Sequence, residues 1–239
     1  MAFQYTSQTD VGRQRTTNED AVLATALDRG YLLAVADGMG GHARGDIASE
    51  TALRAFESAV SDAPPSEPAP ERLTAAVIAA NEAIQHAIET NPSYEGMGTT
   101  LVAAYIHGQR VTLINVGDSR AYRLLDEGIE QITIDQSLVR DLVTEGVIDE
   151  EEMSTHPQRN VVSQALGTRD SDEIDPDLYQ CSLDGTLLLC SDGLTEELTD
   201  EMIFELVTGT ETLETASEAL IKQANENGGS DNISVVLGQ

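Results

Sequence analysis

A chain of 239 residues with 40% hydrophobic content, 4% aromatics and no Trp can enclose a substantial core, built largely from Val, Leu, Ile and Ala. Its 42 Asp and Glu against 13 Lys and Arg give a formal net charge of −29, which excludes the basic patches that nucleic acids and anionic membranes demand. With no apolar run long enough for a bilayer and no signal peptide at the start, a soluble, cytoplasmic protein is expected.

Residues 20–27 and 31–37 read as strands joined by the turn Asp28-Arg29-Gly30. Helices are expected over about 42–60 and 71–90, where Ala52, Leu53, Phe56 and Val60, then Leu73, Val77, Ile84 and Ile88, recur at helical spacing. The Pro-rich stretch 62–70 between them reads as exposed loop, not helix. Strands at 99–106 and 110–116 flank His107-Gly108-Gln109, a hairpin signal, and 120–125 pairs onward through Asp126-Glu127-Gly128. Residues 137–167 switch to short, strongly acidic helical pieces. A further hairpin is expected from 178–182 and 186–190 around Asp184-Gly185; helices over about 200–208 and 211–227 then precede a last strand, 233–237. Cys181 and Cys190 fall in those adjacent strands, among apolar or small residues, and a reduced, buried pair is expected. Consecutive hairpins with helices clustered in pairs favour an α+β architecture, antiparallel sheets covered by helices, in one domain over 1–239.

Acidic turns recur at the strand ends. Val35-Ala36-Asp37-Gly38-Met39-Gly40-Gly41 closes one apolar strand, Val116-Gly117-Asp118-Ser119-Arg120 lies at a second junction, and Leu189-Cys190-Ser191-Asp192-Gly193 closes a third. Ser230-Asp231-Asn232-Ile233 and Asn18-Glu19-Asp20 place further acids just before strands. Singly, Asp-Gly is ordinary turn chemistry. Together, strands that each stop at an Asp would bring several carboxylates to one end of a sandwich, where like charges raise one another's pKa and oppose folding. Hard divalent cations such as Mg²⁺ or Mn²⁺ resolve that conflict, since they prefer oxygen ligands. No HExxH, CxxC or P-loop pattern is present, so neither zinc nor a nucleotide loop is expected.

These residues, with Asp10-x-Gly12-x-x-Arg15-x-x-Asn18-Glu19-Asp20, Gly98-Thr99-Thr100 and Asp231-Asn232-Ile233-Ser234, resemble the PPM (type 2C) metal-dependent protein phosphatases of bacterial or archaeal type. The matches run in the family's order from Asp10 to Ser234. The resemblance implies a central β-sandwich of two antiparallel sheets flanked by helices on both faces (α-β-β-α), with residues 137–167 as a variable flap. It implies hydrolysis of phosphoserine and phosphothreonine by a hydroxide bridging two Mn²⁺ or Mg²⁺ ions, with a third, weaker metal site. By position, Asp37 would bridge the two metals, the Gly38 carbonyl would bind the first, and Asp192 and Asp231 would complete the second. Glu19 and Asp20 would hold metal-bound waters, Asp118 would help bind the third metal, and Arg15 would hold the substrate phosphate.

Three positions depart from the family pattern. Met39 stands where many members carry a His that is a candidate general acid; His42 is nearby and reads either as that acid or as a solvated residue at a helix start. Asp135-Gln136-Ser137 replaces the usual Asp-His-Ser, and Gln164 replaces an Arg before Ala-Leu-Gly. A second functional reading is a catalytically weak pseudophosphatase that binds phosphoproteins without turnover, although retention of Asp37, Asp192 and Asp231 disfavours it. The implied partners are phosphorylated proteins and a counteracting Ser/Thr kinase, acting on a monomer with neither nucleic acid nor membrane involved. The acidity also suits a halophile, because at about 1 M salt the Debye length falls to roughly 3 Å and self-repulsion is screened; a merely acidic protein is the other reading.

Overall fold

The computed structural model describes residues 3–40, 44–168 and 173–239. In chain order the strands are β1 (Tyr5–Asp10), β2 (Ala21–Leu27), β3 (Gly30–Ala36), β4 (Gly38–Met39), β5 (Gly98–Thr99), β6 (Leu101–His107), β7 (Arg110–Val116), β8 (Arg120–Leu125), β9 (Gly128–Gln131), β10 (Asp177–Ser182), β11 (Thr186–Cys190) and β12 (Ile233–Gly238). The helices are α1 (Gly45–Asp62), α2 (Ala69–Thr90), α3 (Leu138–Thr144), α4 (Asp192–Thr195), α5 (Asp200–Thr208) and α6 (Leu213–Asn227). Two five-stranded antiparallel sheets form, ordered β1-β12-β11-β8-β9 and β10-β7-β6-β3-β2, with β4 and β5 as a separate short ribbon.

Period-two alternation divides each central strand between two apolar layers. On β3, Leu33 and Val35 face the other sheet, whereas Leu32, Ala34 and Ala36 meet the helices. Likewise Leu187 and Leu189 of β11 enter the inter-sheet layer, and Leu188 and Cys190 pack beneath the other helices. Phe56 of α1 and Leu73, Val77 and Ile84 of α2 cover one outer face; Ile203 of α5 and Leu220 and Ala224 of α6 cover the other. Both faces of the central strands are thereby dry, which is why those strands read as continuous apolar runs, whereas edge strands β1 and β10 stay partly exposed. The α-β-β-α sandwich matches the expected fold class.

Element boundaries differ where capping or proline chemistry decides them. Residues 62–70 are not all loop: α1 runs to Asp62 and α2 starts at Ala69, with Pro70 in its first turn, where a missing N–H costs nothing. Thr212 accepts a hydrogen bond from the Thr215 N–H, so the last helix begins at Leu213 and not at 211. The larger correction concerns β10 and β11. They do not pair as a hairpin: β10 pairs with β7, and β11 with β8 and β12 in the opposite sheet. The turn at Asp184-Gly185 carries the chain across; Gly185 has φ 89°, and a Cβ there would sit 2.1 Å from the Leu124 carbonyl oxygen. Cys190 is therefore buried in one sheet and Cys181 only half-buried in the other, both as free thiols. Strand β1, polar in sequence and at a sheet edge beside β12, carried no apolar pattern to announce it.

Among the described residues no helix is long and apolar enough to cross a membrane. Phe56→Ala should lower unfolding stability by about 3–5 kcal/mol, because the ring is fully buried between α1 and the sheet. Urea denaturation at fixed salt measures it, and a loss below about 1 kcal/mol contradicts the packing described.

Candidate metal centre

The site forms where three strands stop. Beyond β3 the backbone of Asp37 is clamped by the junction of β5 and β6: its N–H donates to Thr100 Oγ1 (3.1 Å), and its carbonyl accepts from the Thr100 N–H (2.9 Å) and Thr99 Oγ1 (2.8 Å). The next residue must be glycine, since a Cβ on Gly38 would lie 2.3 Å from the carbonyl oxygens of both Glu19 and Gly45. That close approach fits the start of α1 against the end of β3. Glu19 and Asp20 enter β2 beside it. The Glu19 N–H donates to Asn232 Oδ1 (2.8 Å), and Asn232 Nδ2 donates to the carbonyls of Val11 (2.9 Å) and Thr17 (3.0 Å). One amide thus ties the N-terminal loop, the entry to β2 and the entry to β12. Ser191, just after β11, donates to Asp20 Oδ2 (2.8 Å) and accepts from the Ser234 N–H (3.0 Å). A Cβ on Gly193 would lie 2.0 Å from the Asn232 carbonyl oxygen, so Asp192 is pressed toward Asp231 by glycine packing.

Electrostatics follow from that convergence. The carboxyls of Asp20 and Asp192 lie close enough to that of Asp37 to act on its charge, and ionised carboxylates so placed repel one another unless a proton or a cation comes between them. Burial, then the charges of Asp20, Asp192, Asp118 and Asp231, hold Asp37 well above the usual carboxylate range. Burial, then Asp118, Glu196 and Asp231, do the same to Asp192. Burial pushes Asp20 up to about 6 despite bonds from Ser234 and Ser191; burial and Asp135 push Asp118 up to about 6. Asp20 is 9% exposed and its Oδ1 has no hydrogen-bond partner. Asp37, Asp118, Asp192 and Asp231 retain partial exposure, and a cleft of about 420 Å³ bounded by Asp118, Asp192, Glu196 and the flap residues Arg159 and Asn160 opens beside them.

An orphaned buried oxygen among carboxylates that need a shared positive charge fits hard divalent ions. Among the described residues, however, no three His, Cys, Asp or Glu side chains form a ready-made cage. Carbonyl and water ligands must therefore complete any coordination sphere, as such ions commonly require.

The expected residues Glu19, Asp20, Asp37, Gly38, Asp118, Asp192 and Asp231 all meet at this end of the sandwich. Arg15 is half-exposed and its Nη2 donates to Asp231 Oδ2 (2.6 Å), so in this state it is paired with a carboxylate. His42 lies outside the described residues. The departures at Gln136 and Gln164 are structural pins for the flap ends. Gln136 accepts from the Gly117 N–H (2.9 Å) and donates to Asp177 Oδ2 (2.9 Å), and Gln164 bonds both the N–H (3.0 Å) and the carbonyl (3.1 Å) of Asp175. Sequence reasoning placed Ser191, Thr100 and Asn232 within motifs but gave them no role; their hydrogen-bond partners lie on distant segments. Asp135 holds Arg120 through both oxygens (Nε to Oδ1 2.9 Å, Nη2 to Oδ2 2.6 Å) at the wall of the cleft.

A family model described as protein phosphatase 2C matches residues 9–224. The serine/threonine protein phosphatase PstP of Mycobacterium tuberculosis is 41% identical over 239 residues, 99% of this chain but 45% of its own length. The chain thus spans less than half of that relative. The serine/threonine phosphatase stp of Listeria monocytogenes is 38% identical over 234 residues, 96% of this chain and 93% of its own. Among solved structures, serine/threonine phosphatase Stp1 from Staphylococcus aureus superposes with TM-score 0.92 at 36% identity, covering 100% of this chain and 95% of that one. The catalytic domain of PstP in complex with 2 manganese ions superposes with TM-score 0.86 at 39% identity, covering 99% and 97%.

Raised carboxyl pKa values set the sign of a pH dependence. For Asp20 and Asp118 the stabilising protonated form is fully present below the ordinary value of 3.8 and is lost as pH rises through about 6. Chelator-treated protein should therefore have a higher Tm near about pH 5 than near about pH 7.5, and excess Mn²⁺ should raise Tm more at the higher pH. A Tm that is flat or rises with pH in the metal-free protein contradicts the carboxylate clustering.

Proposed function

The chain belongs to the protein phosphatase 2C family, and on that premise we propose that it is a metal-dependent phosphoprotein phosphatase acting on phosphoserine and phosphothreonine through a single catalytic domain over residues 1–239. The observation that carries this reading is the convergence of Asp20, Asp118, Asp192 and Asp231 on the Asp37 carboxyl beside a cleft of about 420 Å³. A relative's catalytic domain in complex with 2 manganese ions supports two Mn²⁺ or Mg²⁺ ions here. Asp37 would be common to both, with the Gly38 carbonyl on one and Asp192 and Asp231 on the other; Glu19 and Asp20 would bind through waters, and Asp118 would serve a third, weaker site. Bound ions of this kind lower the pKa of water and clamp an in-line displacement at phosphorus.

The chain's own groups bind and orient the substrate. Arg15 presents a planar fork of donors, of which one nitrogen is engaged by Asp231, and turning that fork toward a phosphate gives paired charge-assisted bonds. The cleft walls include Arg159 and Asn160 from the flap, placing a cationic and an amide side chain where a phosphorylated segment would enter. Locally, divalent ions outweigh the carboxylates, which is how a chain with formal charge −29 accepts a phosphate dianion. Phosphorylated proteins made by a Ser/Thr kinase are the substrates proposed, met by a monomer in a salt-rich cytoplasm that screens the acidic surface. The non-catalytic reading draws no support from these relatives, all of which carry phosphatase names.

Asp37→Asn and Asp192→Asn should each lower Mn²⁺-dependent p-nitrophenyl phosphate hydrolysis in molar KCl by more than about 100-fold, with circular dichroism unchanged. Near-wild-type turnover in either variant overturns the site assignment. Arg15→Ala should instead raise KM roughly tenfold while metal affinity holds, as expected for loss of a charge-assisted bond to phosphate. An unchanged KM removes Arg15 from the phosphate site.

A further inference from the structure

The end of the sandwich away from Asp37 gathers part of the chain's scarce positive charge. A cavity of about 710 Å³ opens there between the start of α2, the β2–β3 and β6–β7 turns and β10, with Arg29, Arg72, His107 and Arg110 on its wall. Strand β3 spans Gly30–Ala36, so at about 3.3 Å per residue the cavity lies roughly 23 Å from the carboxylate cluster.

Arg72 is 7% exposed and is held only by neutral partners. Its Nη2 donates to the Pro64 carbonyl (2.9 Å), its Nη1 to the Tyr105 hydroxyl (3.4 Å), and the guanidinium lies over the Tyr105 ring at 5.3 Å. Its Nε has no partner. Among the described residues no carboxylate is in ion-pair range of Arg29, Arg72 or Arg110, nor of Arg13 and Arg159 elsewhere, whereas Arg15, Arg44, Arg54, Arg120, Arg123 and Arg140 each have one. With 42 acids for 13 bases, three such arginines on one cavity run against the chain's average charge environment. A buried charge is costly without a counter-charge, and the cavity is where one can enter. The N-terminus of α2, a 22-residue helix, lies on the same wall through Pro68, Ala69 and Glu71, adding the positive end of its dipole. Glu67 and Glu71 also reach the wall, and they disfavour an extended acidic ligand over a compact one.

We infer that this cavity is a second oxyanion site, taking a phosphate-type dianion between Arg72 and the exposed Arg29 and Arg110, whose planar forks suit its paired oxygens. The space exceeds what a lone phosphate needs, and Pro65, Pro68 and Val111 add apolar wall, so the group is either free phosphate or a phosphorylated side chain on a peptide. Nothing in this site depends on the chemistry proposed at Asp37, and its test reads binding, not turnover.

Amide-resolved NMR of the full chain, with and without Mn²⁺, titrated with sodium phosphate and with sodium chloride at matched ionic strength, tests it. Saturable shifts are expected at Arg29, Arg72 and Arg110 with phosphate alone. They should weaken at least about tenfold in the double variant Arg29→Gln, Arg110→Gln, which leaves buried Arg72 and the fold in place. Equal shifts with chloride, equal affinity in the double variant, or shifts confined to the Asp37 end each overturn the proposal. A phosphoserine peptide that binds the same amides more than about tenfold tighter than phosphate assigns the site to a protein segment, and equal or weaker binding assigns it to the free ion.

Discussion

Mutual repulsion among carboxylates around Asp37 is the constraint on which the rest of this structure turns. Asp20, Asp118, Asp192 and Asp231 all act on Asp37, and burial compounds the cost of charging it. A fold tolerates such a cluster only if the backbone carrying it cannot relax. The clamp of Thr99 and Thr100 on Asp37, the three-way tie through Asn232 and the Ser191 bridge from Asp20 to the Ser234 N–H supply that rigidity. Gly38 and Gly193 let backbone segments approach to distances that any side chain would block. The arrangement is preorganised for positive charge, because burial and mutual repulsion penalise every unshared negative charge in it.

Rigidity at the strand ends depends in turn on the layers beneath. The inter-sheet core fixes β3 and β11 through Leu33, Val35, Leu187 and Leu189, while the two helix layers cover the outer faces. The alternation that fills these layers also sets where each strand must end, so packing and the placement of Asp37 and Asp192 are one problem. The same strands separate two chemistries. Their carboxyl-bearing ends are acidic, and the opposite end of the second sheet gathers arginines that have no carboxylate partner among the described residues. Distance along β3 keeps those fields apart, and screening over a Debye length of about 10 Å or less does the rest.

Much of this was legible in the sequence because the informative signals are local. Apolar runs ending at Asp37-Gly38 and Asp192-Gly193 gave both the strands and the acidic turns, and the family resemblance ordered them into a sandwich. Local signals failed where partners are remote. β1 is a polar edge strand recognisable only by its register with β12. β10 and β11 look like a hairpin, yet the residue demands at Gly185 come from Leu124 in another strand, and the chain crosses between sheets. Gln136 and Gln164 read as lost family residues, whereas each pins a flap end.

By itself the sequence determined the apolar central strands and the long helices, the acidic character and which aspartates stand at strand ends, since all of these follow from residue type and spacing along one segment. Only the tertiary structure decided that Arg15 rests on Asp231, that Asn232 joins three segments, and that Arg29, Arg72 and Arg110 face one cavity. Those facts depend on which distant segments the two sheets and their helices bring within a few ångström, and no periodicity in the chain encodes such distances.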